Sequence, residues 1–140
     1  MTRWIAKTCD LEICLMLRRN VFIDEQNVPE DEEIDTYDET AIHLLAFEGD
    51  IPVGTARIVV QGEVGKIGRV CVLKEYRGTG LGADLINAAL EQMRDLPDVT
   101  IARLGAQTHA LGFYERLGFA AFGDEYMDAG IPHFDMERAL

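Results

Sequence analysis

The order of apolar patterns predicts a mixed α/β domain, an antiparallel meander of strands followed by a β-α-β crossover. Three observations carry this. Short strand-like runs joined by turn signals fill the first half; one broad amphipathic helical pattern follows; and continuously apolar runs stand on either side of it. At 140 residues and 48% hydrophobic content, residues 1–140 fit one domain with a real core.

Taken in order, Trp4–Lys7 predicts a short first strand. Leu11–Phe22 predicts a helix, because Leu11, Cys14, Leu15, Arg18, Val21 and Phe22 fall near helical spacing, with Asp10 placed as its N-cap. The segment DEQNVPEDEEIDTYDE, Asp24–Glu39, reads as a loop with room for one helical turn. Ile42–Glu48 and Val53–Val60 are strand-like and joined by EGDIP, a hairpin signal. Lys66–Leu73 ends in VCVL, as expected of a strand covered on both faces.

Leu81, Leu85, Ala89 and Met93, flanked by Ile86 and Leu90, then form one apolar helical face that Pro97 stops. Val99–Leu104 predicts another strand. Thr108 is placed as the cap of a short helix to Leu117, closed by Gly118 at C′. Phe119–Phe122 and Phe134–Arg138 complete the predicted strands. No internal repeat or linker interrupts this order.

Composition excludes several function classes. A net charge of −12 argues against a nucleic-acid partner, which requires a basic stripe. No apolar run approaches the ~20 residues needed to cross a bilayer, and MTRWIAKTCDLEI lacks signal-peptide order, so no membrane partner and a cytoplasmic location are expected. Cys9, Cys14 and Cys71 show no metal-ligand spacing, so neither a disulfide framework nor a metal site is expected. Nine of the 25 acids crowd Asp24–Glu39, where no base occurs. Lys66, Arg69, Lys74 and Arg77, by contrast, cluster beside a run of glycines, where an anion is welcome.

That run, RGTGLGADLINAAL from Arg77 to Leu90, admits three phosphate-loop templates. A P-loop fails, because Gly82 is followed by Ala83 and Asp84 rather than Lys-Ser/Thr. A dinucleotide fingerprint fits Gly78, Gly80 and Ala83. However, KEYR separates them from the strand, and the expected acid, Asp98, precedes the next strand. The third template, R/Q-x-x-G-x-G/A, is filled by Arg77, Gly80 and Gly82 at the entrance of a helix. Bare backbone there lets amides of the loop and first turn point at a pyrophosphate.

This last pattern resembles motif A of the GNAT superfamily of acetyl-CoA-dependent N-acyltransferases. AQTHALGFYERLGF, Ala106–Phe119, is similar to the superfamily's motif B, with Gln107 where an Asn is usual. RRNVFIDEQNVPEDEEID, AIHLL, VGTARI, KIGRVCVL, RGTGLG and AGIPHFDM together resemble the ElaA-like branch across nearly the whole chain. The resemblance implies the GNAT fold, a mixed and mostly antiparallel sheet whose fourth and fifth strands run parallel and splay. It implies acetyl-CoA as co-substrate and no metal. It also implies an amine acceptor, a small molecule or a peptide, that attacks directly in a ternary complex.

Residue by residue, the resemblance assigns Arg77, Gly78, Thr79, Gly80, Leu81, Gly82 and Ala83 to pyrophosphate and Val70, Cys71 and Val72 to the pantetheine arm. Gln107 and Phe113 join the cofactor set, with Gln107 alternatively facing substrate and Phe113 read as core packing. Tyr114 is expected to serve as acid to the departing thiolate. His133, in GIPHFDM, is expected to serve as base, imidazole being suited by an ordinary pKa near ~6.5; ordered water is the alternative. His43 is a secondary candidate at the acceptor site, His109 is expected at the surface, and Cys71 is expected to pack rather than react. Glu25 would hold a cationic acceptor, whereas Arg19 would hold an acceptor carboxylate. A homodimer is one option for assembly, since dimers are common in the superfamily. Two other functions stay open: a non-catalytic acyl-CoA sensor on the same fold, and a nucleotide-dependent oxidoreductase.

Overall fold

The computed structural model describes residues 2–140. Its elements are β1 (Arg3–Thr8), α1 (Leu11–Arg18), α2 (Glu30–Glu33), β2 (Ile42–Glu48), β3 (Ile51–Gln61), β4 (Val64–Val72), α3 (Leu81–Arg94), β5 (Ile101–Gln107), α4 (Leu111–Glu115), β6 (Ala120–Asp128) and β7 (Ile131–Ala139). The strands form one sheet in the order β1-β2-β3-β4-β5-β7-β6. Every pairing is antiparallel except β4 with β5. The predicted succession of strands and helices is therefore the observed one.

Helix α3 covers one face. Its inner side chains Leu81, Leu85, Ile86, Ala89, Leu90 and Met93 are all buried, against Leu44, Ala56, Ile58, Ile67, Ala102 and Leu104 of the sheet. Gly65 exists for this packing, since a Cβ there would run into the Met93 sulfur. Helix α1 covers the other face at β2–β4, where Cys14, Leu17 and Val21 meet Leu45 and Cys71. Asp10 caps it by accepting from the Ile13 N–H at 3.3 Å. The helix expected to reach Phe22 changes winding instead: Arg19–Glu25 is π-helical.

The acidic segment is a loop with one α-helical turn, as expected, and six of its nine acids are exposed, but the other three tie it down. Pro29 opens the single turn α2, and a 3₁₀ turn follows at Thr36–Glu39. Between them the chain is strapped over the sheet by ion pairs. Arg18, 1% exposed, binds Glu33 at 2.5 Å and Asp38 at 2.7 Å. Arg57 binds Asp35 at 2.7 Å and Asp38 at 2.9 Å. Arg69 of β4 donates to the Glu33 carbonyl and to Asp35. Three acids of the run are thus structural counter-ions for arginines of α1, β3 and β4.

Two shifts in register shape the functional end of the sheet. In β4, Arg69 and Val70 together oppose Ala56, a bulge with Arg69 at φ 52°. In β6, three residues, Gly123–Glu125, oppose Phe134 of β7. The last two strands are longer than expected and meet in a two-residue turn at Ala129 and Gly130, with φ 51° and 77°. The length of β6 was hidden because it is an edge strand, exposed along almost its whole length and so without apolar alternation. Thr108 is not a helix cap: its hydroxyl donates to Glu125 at 2.9 Å, and α4 begins after a 3₁₀ turn with no side-chain cap. Gly118, at φ 92°, does close that helix.

Candidate active site

Strands β4 and β5 pair only from Val64–Ile67 to Ile101–Leu104. Beyond Leu104 they part, while β5 keeps its ladder with β7 as far as Gln107 opposite His133. The opening leads into a cleft of about 490 Å³. Val70, Gln107, Tyr114 and His133 all line it. So do Glu32, Asp35, Arg57, Lys66 and Arg69 from the strapped segment and the sheet.

The glycine loop follows the unpaired end of β4, and none of its residues from Arg77 to Ala83 lines the cleft. Gly80 occupies the N-cap of α3 at φ 86° and ψ 1°, with no side-chain cap on the helix. Beyond Gly78 and Gly80 nothing lies within 4 Å of where a Cβ would project. The first turn of a 14-residue helix thus has no side-chain cap and bare backbone before it, an arrangement that suits an anion. Arg3, missed by sequence reasoning, braces the loop: it donates to the Thr79 carbonyl at 3.1 Å and hydroxyl at 2.9 Å, and binds Glu48 at 2.8 Å. Its distance in sequence from Thr79 left no local signal.

Arg77 and Glu25 meet each other. The guanidinium grips the carboxylate through two bonds of 2.6 and 2.7 Å, and its Nε donates to the Val72 carbonyl at 3.0 Å. The bond from Arg77 holds the Glu25 carboxyl below its ordinary range. Neither side chain lines the cleft. Arg19 is likewise outside it, paired with Glu30 on the surface. His43 is buried beside β3, its Nε2 2.9 Å from the Asp38 carbonyl, and does not line the cleft; it is a satisfied structural histidine. His109 is exposed, as expected, and contacts Gln107 at 2.7 Å.

Phe113 links loop to cleft. Its ring would touch a Cβ on Gly82 at 3.4 Å, and it meets the Tyr114 ring edge-to-face with centroids 5.0 Å apart. Tyr114 is half-buried, and burial pushes its phenol above the ordinary value, so it remains a protonated donor.

Gln107 lies between Gln26 at 3.3 Å and His109. Cys71, 4% exposed, faces α1 rather than the cleft, and burial pushes its thiol up to about 12. Such a thiol is not a nucleophile near neutral pH.

At His133 the Nδ1 lies 2.7 Å from the Ile131 carbonyl oxygen. Because a carbonyl only accepts, Nδ1 carries a proton, so that in the neutral ring the lone pair is on Nε2. The ring stacks on Tyr126, centroids 5.8 Å apart. Tyr126 was also missed, although its signal was present: it stands three residues before the Ala129–Gly130 turn, as His133 stands three after.

The parted strands thus open onto a cleft lined by a phenol and an imidazole. Residues 10–140 match the acetyltransferase (GNAT) domain. The ElaA protein of Escherichia coli is 38% identical over 132 residues, spanning 90% of this chain and 85% of that protein. Its crystal structure superposes with a TM-score of 0.84 over 98% of each chain. An acyl-CoA N-acyltransferase from Pseudomonas aeruginosa superposes at 0.87 over 99% of each chain with 32% identity. A GNAT family acetyltransferase from Elizabethkingia anophelis, solved with acetyl-CoA bound, shares the fold at TM-score 0.76 and 15% identity over 99% of this chain and 98% of that one. No helix among the described residues is long and apolar enough to cross a membrane. From its sequence match, its fold and the splayed strands together, the chain belongs to the GNAT acetyltransferase family, in the ElaA-like branch.

Proposed function

We propose that this chain transfers an acetyl group from acetyl-CoA to an amine by direct attack in a ternary complex. The observation that carries the reading is the opening between β4 and β5, onto a cleft lined by Tyr114 and His133, with the uncapped α3 N-terminus following the unpaired end of β4 in the chain. Acetyl-CoA supplies the acetyl group as an activated thioester.

The amides from Gly78 to Ala83 would hold its pyrophosphate, and the unpaired edge of β4 from Val70 to Val72 would hold the pantetheine arm. An alkylammonium with a pKa near ~10.4 is neutral about one time in a thousand at pH 7.4. His133 Nε2 would take its proton. Tyr114 would give its hydroxyl proton to the departing sulfur, a task for which its raised pKa keeps it charged with a proton at neutral pH. The packed thiol of Cys71 leaves the transfer without a cysteine intermediate.

The test is release of free CoA thiol from acetyl-CoA with a panel of amino acids, amino sugars, polyamines and peptides. Tyr114→Phe should lower kcat by roughly 10²–10⁴-fold while leaving acetyl-CoA affinity unchanged. Tight acetyl-CoA binding with no turnover on any amine, and indifference to Tyr114→Phe, would instead favour a sensor.

A further inference from the structure

We propose that Tyr126 is a positioning residue that fixes the His133 imidazole for proton transfer, through a hydroxyl seated in the notch left by Gly105 and tied there to Asp135. The inference rests on the reading of His133 as base.

Tyr126 and His133 are cross-strand partners in the β6–β7 hairpin, and their rings stack within 23° of parallel. The Tyr126 hydroxyl donates to Asp135 Oδ1 at 2.8 Å. Gly105 is the register partner of Asp135 on β5, one residue past the point where β4 departs. A Cβ on Gly105 would stand 2.5 Å from the Tyr126 hydroxyl oxygen but 3.8 Å from its Cζ. A phenol therefore fits against β5 only because residue 105 has no side chain. All of Gly105, Tyr126 and His133 line the cleft.

Each contact constrains His133 differently. The Ile131 carbonyl holds one ring edge and fixes the proton on Nδ1. One hydrogen bond at one edge still permits the imidazole to tilt. The Tyr126 ring closes its face, and that ring is itself immobilised at its far end by Asp135. Burial, and then the bond to Asp135, push the Tyr126 phenol well above its ordinary value, so this anchor stays a donor throughout the working pH range. An orienting group of this kind acts by holding geometry to fractions of an ångström, where a displacement of ~1 Å costs about 100-fold in rate.

The geometry defines a rescue experiment. Gly105→Ala places a methyl where the hydroxyl sits and should lower kcat about 100-fold with the KM for acetyl-CoA unchanged. Gly105→Ala combined with Tyr126→Phe removes the colliding oxygen, and kcat should return to the level of Tyr126→Phe alone.

Imidazole NMR of the free protein gives a readout independent of turnover, with His133 signals identified by their loss in His133→Gln. The wild-type ring should show the Nδ1–H tautomer and ring-current shifts from Tyr126. Gly105→Ala should displace those signals, and the double variant should return them to the positions seen in Tyr126→Phe alone. Tyr126→Leu, which crowds nothing, should displace them as well.

Unmoved His133 signals in Gly105→Ala and Tyr126→Leu would overturn the proposal, as would a Gly105→Ala defect that the second substitution does not relieve. If His133→Gln is itself fully active, the base reading fails, while the spectra still decide whether Tyr126 positions the ring.

Discussion

At the scale of single residues, burial separates the cysteines from the chemistry. Cys9 is exposed, whereas Cys14 and Cys71 are buried and free. One thiol per chain should therefore react rapidly with a disulfide reagent under native conditions, and all three after unfolding; rapid reaction at Cys71 would contradict the packed assignment. Cys71→Ala should retain most of its turnover, as a packing change and not a lost nucleophile. The packing role of this thiol was legible in VCVL, where a small residue sits inside an apolar strand. Tyr114 and His133 were legible as residue types in a pattern, but their meeting on one cleft was not, because it depends on the β5–β7 register. Glu25, Arg19 and His43 show the limit from the other side. Glu25 and Arg19 were placed at the acceptor site for their charges and His43 for its imidazole, and each has a protein partner instead: Arg77, Glu30 and the Asp38 carbonyl, respectively.

At the scale of elements, the acidic strap is held by buried charge. Asp35 is kept below the ordinary carboxyl range chiefly by its bonds from Arg57. For Asp38, burial opposes ionisation, yet the bonds from Arg18 and Arg57 outweigh it and its pKa is also lowered. A carboxyl whose native pKa is depressed stabilises the fold fully above its unfolded value, near ~3.9, and loses that contribution as pH falls through the lower native value. Urea midpoints should therefore drop steeply below about pH 4, and less steeply in Asp38→Ala. That variant should be destabilised at neutral pH by about 3–5 kcal/mol, because Arg18 would remain buried with one partner gone. A neutral-pH loss below about 1 kcal/mol would place the pair among exposed ones. The regular elements were legible wherever one face is buried, above all the six inward positions of α3. The strap and the length of β6 were not. Glu33, Asp35 and Asp38 pair with arginines distant in sequence, which leaves no local signal, and an edge strand exposed along almost its whole length has no alternation to detect.

At the scale of the whole molecule, the sheet's single parallel pairing is what creates a site. Antiparallel neighbours hold β3 to β4 and β5 to β7 along their lengths, and only the β4–β5 seam, four residue pairs long, opens. The crossover that makes this seam parallel also delivers the α3 N-terminus and its glycines to the open end. That topology followed from the order of patterns, one long amphipathic helix between two apolar strands, and the glycine template named the ligand class that suits it. The most direct measurement is a calorimetric titration of acetyl-CoA into wild-type protein and Gly80→Glu, with thermal melts to confirm that both are folded and NAD as a control. Acetyl-CoA should give a binding isotherm with the wild type and NAD none, and acetyl-CoA binding should be lost when a carboxylate stands at the helix N-cap. Equal binding by the folded variant, or no binding by the wild type, would contradict the assignment of this seam as the acetyl-CoA site.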